Sequence, residues 1–421
     1  MRVALIIDRI ASNVISGSLF EQTILREIDS LENSGYAFFV ITNSDLNAEK
    51  PIYEGNIKYI SRLDYQNGFN KYPNSFRSRL ALRLISSRLF RMVLKPSLIE
   101  SIKQSITSSP LSMAVKENKI DIGWNIYSME MLNIPYLATC LDCSYLTYPF
   151  LPENNLRNYW MEWNDHSFPY YRRASFILAG TDVMKTQLKN FYGIDGDKIF
   201  VNPFFTPVFE GLETTFDALH ISELVFEDQF LFYPARYAPQ KNHIVIIEAL
   251  KILKEKWNFT PKVVFCGRDI GNLEYLKYKV SEYSIADQFA FLGLVDFPSL
   301  NYLYRHAKAL VYTSFVGPDN LPPLEAFSYE CPVIASNVSG AVEQLGDAAL
   351  LFEPTDEMKL VDHIQTIYEK PHVVKKLIEK GKKIAEMLTV QNYVANVLKI
   401  FDVFSKYHRA WGDSRFNSKV S

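Results

Sequence analysis

The chain has 421 residues, 48% apolar and 22% charged, an ordinary composition for a globular protein of two or three domains. Its formal net charge of −2 excludes the strongly basic surface that bulk nucleic-acid binding uses, so no nucleic-acid partner is expected. Four cysteines exclude a disulfide scaffold and read as reduced thiols.

No uncharged apolar run approaches the roughly 20 residues that a spanning helix needs. The apolar run 3–7 is cut by Asp8 and is too short for a signal-peptide core. These features predict a cytoplasmic protein, soluble or peripheral on the inner face of the plasma membrane.

In chain order, short apolar runs occupy 3–7, 37–42, 57–60, 120–126, 134–141, 176–179 and 199–201. A second series occupies 230–233, 262–266, 289–294, 309–313, 332–336 and 349–352. The stretches between them, such as 242–256, carry apolar residues at three and four spacing and read as amphipathic helices. Strands that are apolar throughout and alternate with helices form parallel sheets covered on both faces. The predicted fold is α/β, with two doubly wound Rossmann-like domains facing across a cleft. The predicted boundary lies near 206–226, where 211–226 is acidic and lacks periodicity. The expected domains are 1–210, 226–395 and a C-terminal helix and tail, 396–421, returning to the first domain.

The segment 71–105 is a helical insertion of unusual charge. Between 71 and 103 stand Lys71, Arg77, Arg79, Arg83, Arg88, Arg91, Lys95 and Lys103, opposed only by Glu100 and interleaved with leucines. Two readings stay open. Such a helix can lie on an anionic membrane surface; it can equally pack on the first domain with its arginines in solvent.

Ligands of doubly wound sheets bind beyond the carboxyl ends of the strands. There Arg236 follows the run 230–233, and Lys241 stands just before a helix. A guanidinium fork and an ammonium point charge together suit a pyrophosphate; alone, either could be a surface cation on a solvated loop. The second signal is Gly317-Pro318-Asp319-Asn320-Leu321-Pro322-Pro323-Leu324-Glu325, which follows the run 309–313 and opens a helix. Asn320 is a good N-cap, and prolines fit the first helical positions. Free amides and the helix dipole at this end favour an anion. Glu325 is placed on the first turn, where a carboxylate can accept from both hydroxyls of a ribose or simply complement the dipole.

These residues, with Phe265-Cys266-Gly267, 291–295 and 321–337, resemble glycosyltransferase family 4, in its mannosyltransferase-like bacterial surface-polysaccharide branch. The resemblance implies a GT-B fold and a retaining, metal-independent hexosyltransferase. It implies a nucleotide-sugar substrate (GDP- or UDP-linked), no cofactor, and a saccharide or lipid-linked saccharide acceptor in surface-polysaccharide, O-antigen or lipopolysaccharide synthesis. It puts Arg236 and Lys241 on the diphosphate as catalytic cations, Glu325 on the ribose, and the Leu294–Val295 backbone with Arg268 near the base. Gly317, Asp319, Asn320 and Leu321 join the donor site by the same analogy. In the first half, Asp142 through Glu153 resembles the branch's acceptor segment, with Tyr145 on the donor side, and Gly17 resembles part of its glycine loop.

Two departures stand out. The family's first glutamate, eight residues before the second, is here Gly317, and its usual histidine is Tyr145. Both positions read the transferred sugar in the family. A non-catalytic sugar-nucleotide or glycan binder on the same fold is therefore the alternative, with a phosphorylase or epimerase behind it. The pair Cys140 and Cys143 is a literal CxxC without a second pair, and reads as buried thiols at a strand end. Asp195-Gly196-Asp197 reads as a turn, and His243 caps or lines the following helix, with a structural and a catalytic role both open.

Overall fold

The computed structural model describes residues 1–8, 16–32, 34–46, 55–65, 109–155, 159–206 and 229–411. The basic segment 71–103 and most of the predicted boundary at 206–226 lie outside the described residues.

All thirteen apolar runs are strands, arranged in two parallel sheets. The first half supplies β1 Arg2–Ile7, β2 Ala37–Thr42, β3 Ile57–Ser61, β4 Ile122–Asn125, β5 Tyr136–Cys140, β6 Phe176–Ala179 and β7 Ile199–Val201, in spatial order β3-β2-β1-β4-β5-β6-β7. Their helices are α1 Ser16–Asp29, α2 Pro110–Glu117, the short turns α3 Ser144–Thr147 and α4 Pro152–Asn155, then α5 Tyr159–Arg173 and α6 Asp182–Tyr192. Strand β1 pairs β2 on one side and β4 on the other, so both faces need cover, and five of its six residues are buried. That burial is why these strands carry no polar alternation.

The second half supplies β8 Leu231–Pro234, β9 Val263–Cys266, β10 Phe289–Leu292, β11 Ala309–Tyr312, β12 Val333–Ser336 and β13 Ala349–Phe352, in order β10-β9-β8-β11-β12-β13. Helices α7 His243–Trp257, α8 Leu273–Glu282, α9 Phe297–His306, α10 Leu321–Ser328, α11 Ala341–Leu345, α12 Glu357–Glu369, α13 Pro371–Met387 and α14 Val390–His408 complete it. One core runs through this half, from Phe230 to Leu377. The strand expected over 289–294 ends at Leu292, because exposed Gly293 and Leu294 have no apolar face left to cover.

Two compact units emerge by contact, Met1–Thr139 with Arg173–Phe176 and His408–Ser421, and Cys140–Arg172 with Ile177–Tyr407. Within the second, α14 meets the end of β7: Asn202 donates to the Tyr393 carbonyl at 3.2 Å and accepts from Asn396 at 3.1 Å.

Candidate functional site

The site is built on the carboxyl ends of β8 and β11, which are neighbours in the second sheet. After β8 the chain passes Arg236, makes a 3-10 turn over Pro239–Lys241, and enters α7 through Asn242 at φ 52°. Side chains hold this loop closely. The Tyr233 hydroxyl donates to the Lys241 carbonyl at 2.7 Å, and the Thr313 hydroxyl reaches the Asn242 carbonyl at 3.0 Å. The Gln240 amide donates to Glu153 Oε1 at 2.8 Å, so the segment 142–153 braces this loop.

Lys241 is thereby aimed at the start of α10. Its ammonium donates to the Tyr312 hydroxyl at 3.2 Å and stands 5.6 Å from the Tyr312 ring centroid. The Tyr312 hydroxyl in turn donates to Asn320 Oδ1 at 2.8 Å. A single tyrosine thus joins the cation to the helix terminus. Arg236 is exposed on the same loop and has no hydrogen bond or ion pair with a described residue. Gly267, at φ 152°, lets the loop after β9 close on this one: a Cβ there would overlap the Ala235 carbonyl and come within 2.8 Å of the Arg236 nitrogen. The Arg268 carbonyl accepts from Tyr237 N at 2.8 Å, which brings Arg268, itself exposed, beside Arg236. Leu294 and Val295 follow β10, whose loop meets this one through Gly267 N and Gly293 O at 3.1 Å.

Three expectations at α10 need correction. Asn320 occupies the N-cap position but makes no side-chain cap; its side chain is spent on Tyr312 and on the Val316 carbonyl. Few free amides are available, since Pro322 and Pro323 have none and the Asn320 amide donates to Gln344. Leu321, the first helical residue, keeps its N–H beside them. Glu325 is the fifth residue of the helix rather than part of its first turn, so the dipole favours it less. It is buried, accepts from the Tyr304 hydroxyl at 2.6 Å, and is held up to about 7 by burial.

Gly317 is glycine for a steric reason. A Cβ there would lie 2.6 Å from the Ser339 carbonyl oxygen and 3.0 Å from Val338 Cγ2. The family's glutamate cannot stand at 317 without moving that backbone. Asp319 instead turns toward residues 180–181, where only a glycine at 180 leaves it room. Burial and the nearby Glu343 and Asp142 carboxylates push Asp319 up to about 8. Glu343 accepts from the amides of Asp182 (2.6 Å) and Val183 (3.2 Å), the first turn of α6. Spacing gave no sign of Glu343, Tyr312, Tyr304 or Glu153 as members of this cluster.

The first-half candidates fall in different settings. Asp142 is exposed and accepts from Ser144 N and Oγ, at the start of α3, at 2.9 and 2.8 Å. Burial raises the Tyr159 hydroxyl, with Asp142 adding to the shift and Arg236 opposing it. Tyr145 is buried, its hydroxyl bonded to Ser167 at 2.6 Å and Tyr192 at 2.8 Å. A cavity of about 280 Å³ is lined among the described residues by Pro149, Asn155, Trp160 and Met161, and the Trp160 ring centroid stands 6.2 Å from that of Tyr145. Gly17 is the second residue of α1. His243 is fully buried among Tyr233, Tyr237 and Phe265, and burial lowers it to about 3, a structural setting. Asp195 caps the turn at Gly196–Lys198, as expected.

The chain is similar to known proteins. Residues 218–384 match the family model of glycosyl transferases group 1. An O-antigen chain mannosyltransferase, RfbU of Salmonella typhimurium, is 28% identical over 48% of this chain and 54% of its own. O-antigen chain mannosyltransferase B of Escherichia coli is 30% identical over 32% of this chain and 35% of its own. The chain thus spans about half or less of these curated relatives. The crystal structure of Anabaena HepE in complex with UDP-glucose has the same fold, with a TM-score of 0.62 at 16% identity over 95% of this chain and 99% of that one. The chain thus has the two-domain, Rossmann-like GT-B fold, and its similarity to the group 1 glycosyl transferases covers residues 218–384.

Proposed function

We propose that the protein is a retaining, metal-independent glycosyltransferase that moves a hexose from a nucleotide diphosphate sugar to a saccharide or lipid-linked saccharide in O-antigen or related polysaccharide synthesis. The observation that carries this reading is the Lys241–Tyr312–Asn320 chain beside the free Arg236 guanidinium. As the glycosidic bond breaks, negative charge grows on the leaving diphosphate. Cations already oriented toward that charge stabilise the transition state more than the ground state. Buried Glu325 accepts from the ribose hydroxyls once ionised, and Arg268 with Leu294 and Val295 borders the base. The matches to O-antigen mannosyltransferases favour a mannosyl donor, and the UDP-glucose complex of the Anabaena neighbour supports a nucleotide-sugar site of this shape. Trp160 and its cavity suit the apolar face of an acceptor sugar.

The test starts with a thermal-shift screen of UDP-, GDP- and ADP-sugars; a ligand at 100 times its Kd stabilises by about 2.7 kcal/mol. Turnover of the stabilising donor is then followed with EDTA present. Arg236→Ala and Lys241→Ala each lower turnover by about 10²–10³. Absence of any shift, loss of turnover in EDTA, or near-wild-type turnover in either variant overturns the assignment.

A further inference from the structure

The CxxC pair has no part in the chemistry proposed above. Cys140 ends β5, Cys143 holds the N-cap position of α3, and Met184 is the third residue of α6. All three are completely buried. Their sulfurs form a closed triangle: 3.9 Å from Cys140 to Cys143, 3.5 Å from Cys140 to Met184 and 3.7 Å from Cys143 to Met184.

A triangle with sides of 3.9, 3.5 and 3.7 Å has a circumradius of about 2.1 Å, close to the ~2.3 Å of a metal–thiolate bond. One ion at the centre would touch all three sulfurs after they part by about 0.2 Å. Thiolate and thioether together are soft ligands that select Cu(I) over harder cations. Among the described residues no three His, Cys, Asp or Glu side chains gather as a metal group; here the third ligand is a methionine.

We propose that Cys140, Cys143 and Met184 form a trigonal site for one soft monovalent cation of the Cu(I) class. As it enters, bonds form to both cysteine sulfurs, both thiol protons leave to solvent, and Met184 contributes a lone pair. No electron is transferred. The ion ties the end of β5 to α6 and fixes Leu141 and Asp142, which lie between the cysteines.

The experiment titrates the reduced full-length chain with Cu(I) under anaerobic conditions against a chromogenic chelator. One Cu(I) per chain is retained, and X-ray absorption shows three sulfur neighbours and no nitrogen or oxygen. Met184→Leu conserves volume and removes only the thioether; it weakens retention at least about tenfold while the circular dichroism spectrum stays unchanged. Cys140→Ser with Cys143→Ser abolishes retention, whereas Cys266→Ala and Cys331→Ala retain it. Failure to compete with the chelator, nitrogen or oxygen neighbours, or full retention in Met184→Leu overturns the site. Formation of a Cys140–Cys143 disulfide in place of copper retention, seen as a loss of two hydrogens in the intact mass, overturns it as well.

Discussion

Glu325 gives a quantitative test of ribose recognition. Burial holds its carboxyl at about 7, against a downward pull from the Tyr304 hydroxyl. A carboxylate that accepts from two ribose hydroxyls must be ionised, so below pH 7 the free protein has to release a proton before it binds the donor. Each pH unit then costs 1.36 kcal/mol, a tenfold loss of affinity. Between pH 8 and pH 5.5 the donor Kd should rise about thirtyfold. An intact nucleotide sugar carries a diphosphate diester with no proton to exchange in that range, so the slope belongs to the protein. Calorimetry at pH 6 in buffers of different ionisation enthalpy should show release of nearly one proton. Glu325→Gln should bind more weakly at pH 8 and lose the slope. Asp319, held at about 8, titrates close by, and Asp319→Asn separates its part. A flat wild-type profile, or an unchanged slope in Glu325→Gln, refutes the reasoning. Stability offers a second readout. The folded carboxyl binds its proton more tightly than the unfolded one, so its contribution falls as pH rises from 4.5 to 7. The total is about 3 kcal/mol, and Glu325→Gln should gain on wild type across that window.

Other expectations follow from the same geometry. Tyr312→Phe removes the link between Lys241 and Asn320; donor kcat/KM should fall about tenfold, from roughly 1.5 kcal/mol of lost hydrogen bonding. Because the two residues act together, the Lys241→Ala, Tyr312→Phe double variant should be little worse than Lys241→Ala, and strict additivity would refute the link. Gly317→Ala should destabilise by about 1–3 kcal/mol in urea unfolding through the Ser339 contact. Gly317→Glu should cost more without raising turnover; a gain in activity would show that the backbone yields there. His243 stays neutral when folded but takes up a proton when unfolded, so its contribution to stability falls as pH drops from 6.5 toward 3, by about 1.4 kcal/mol per unit. The stability difference between wild type and His243→Phe, measured against pH, should carry that slope.

The strands were legible because each buried run is apolar without alternation, a pattern that local sequence alone carries. Arg236 and Lys241 were legible for a related reason: in a parallel sheet the residues just past a strand's carboxyl end have one place to go. The same logic found the start of α10 near Asn320. It erred on the use of that terminus, since spacing counts positions and cannot say whether Asn320 turns to its own helix or to Tyr312. Gly317 shows a similar limit: the sequence records a missing glutamate, while only the Ser339 carbonyl explains why no side chain stands there.

What tertiary structure alone decided are contacts between residues far apart in the chain. Lys241 meets Tyr312 across 71 positions, Gln240 meets Glu153 across 87, and Asp182 meets Glu343 across 161. No local periodicity encodes such pairs, because they depend on which strands become neighbours. The positions of the two cations, Arg236 and Lys241, were thus determined by the sequence of one short loop. Their orientation, the burial that raises Glu325, and the meeting of three sulfurs beneath Asp142 came from the order in which the strands assemble.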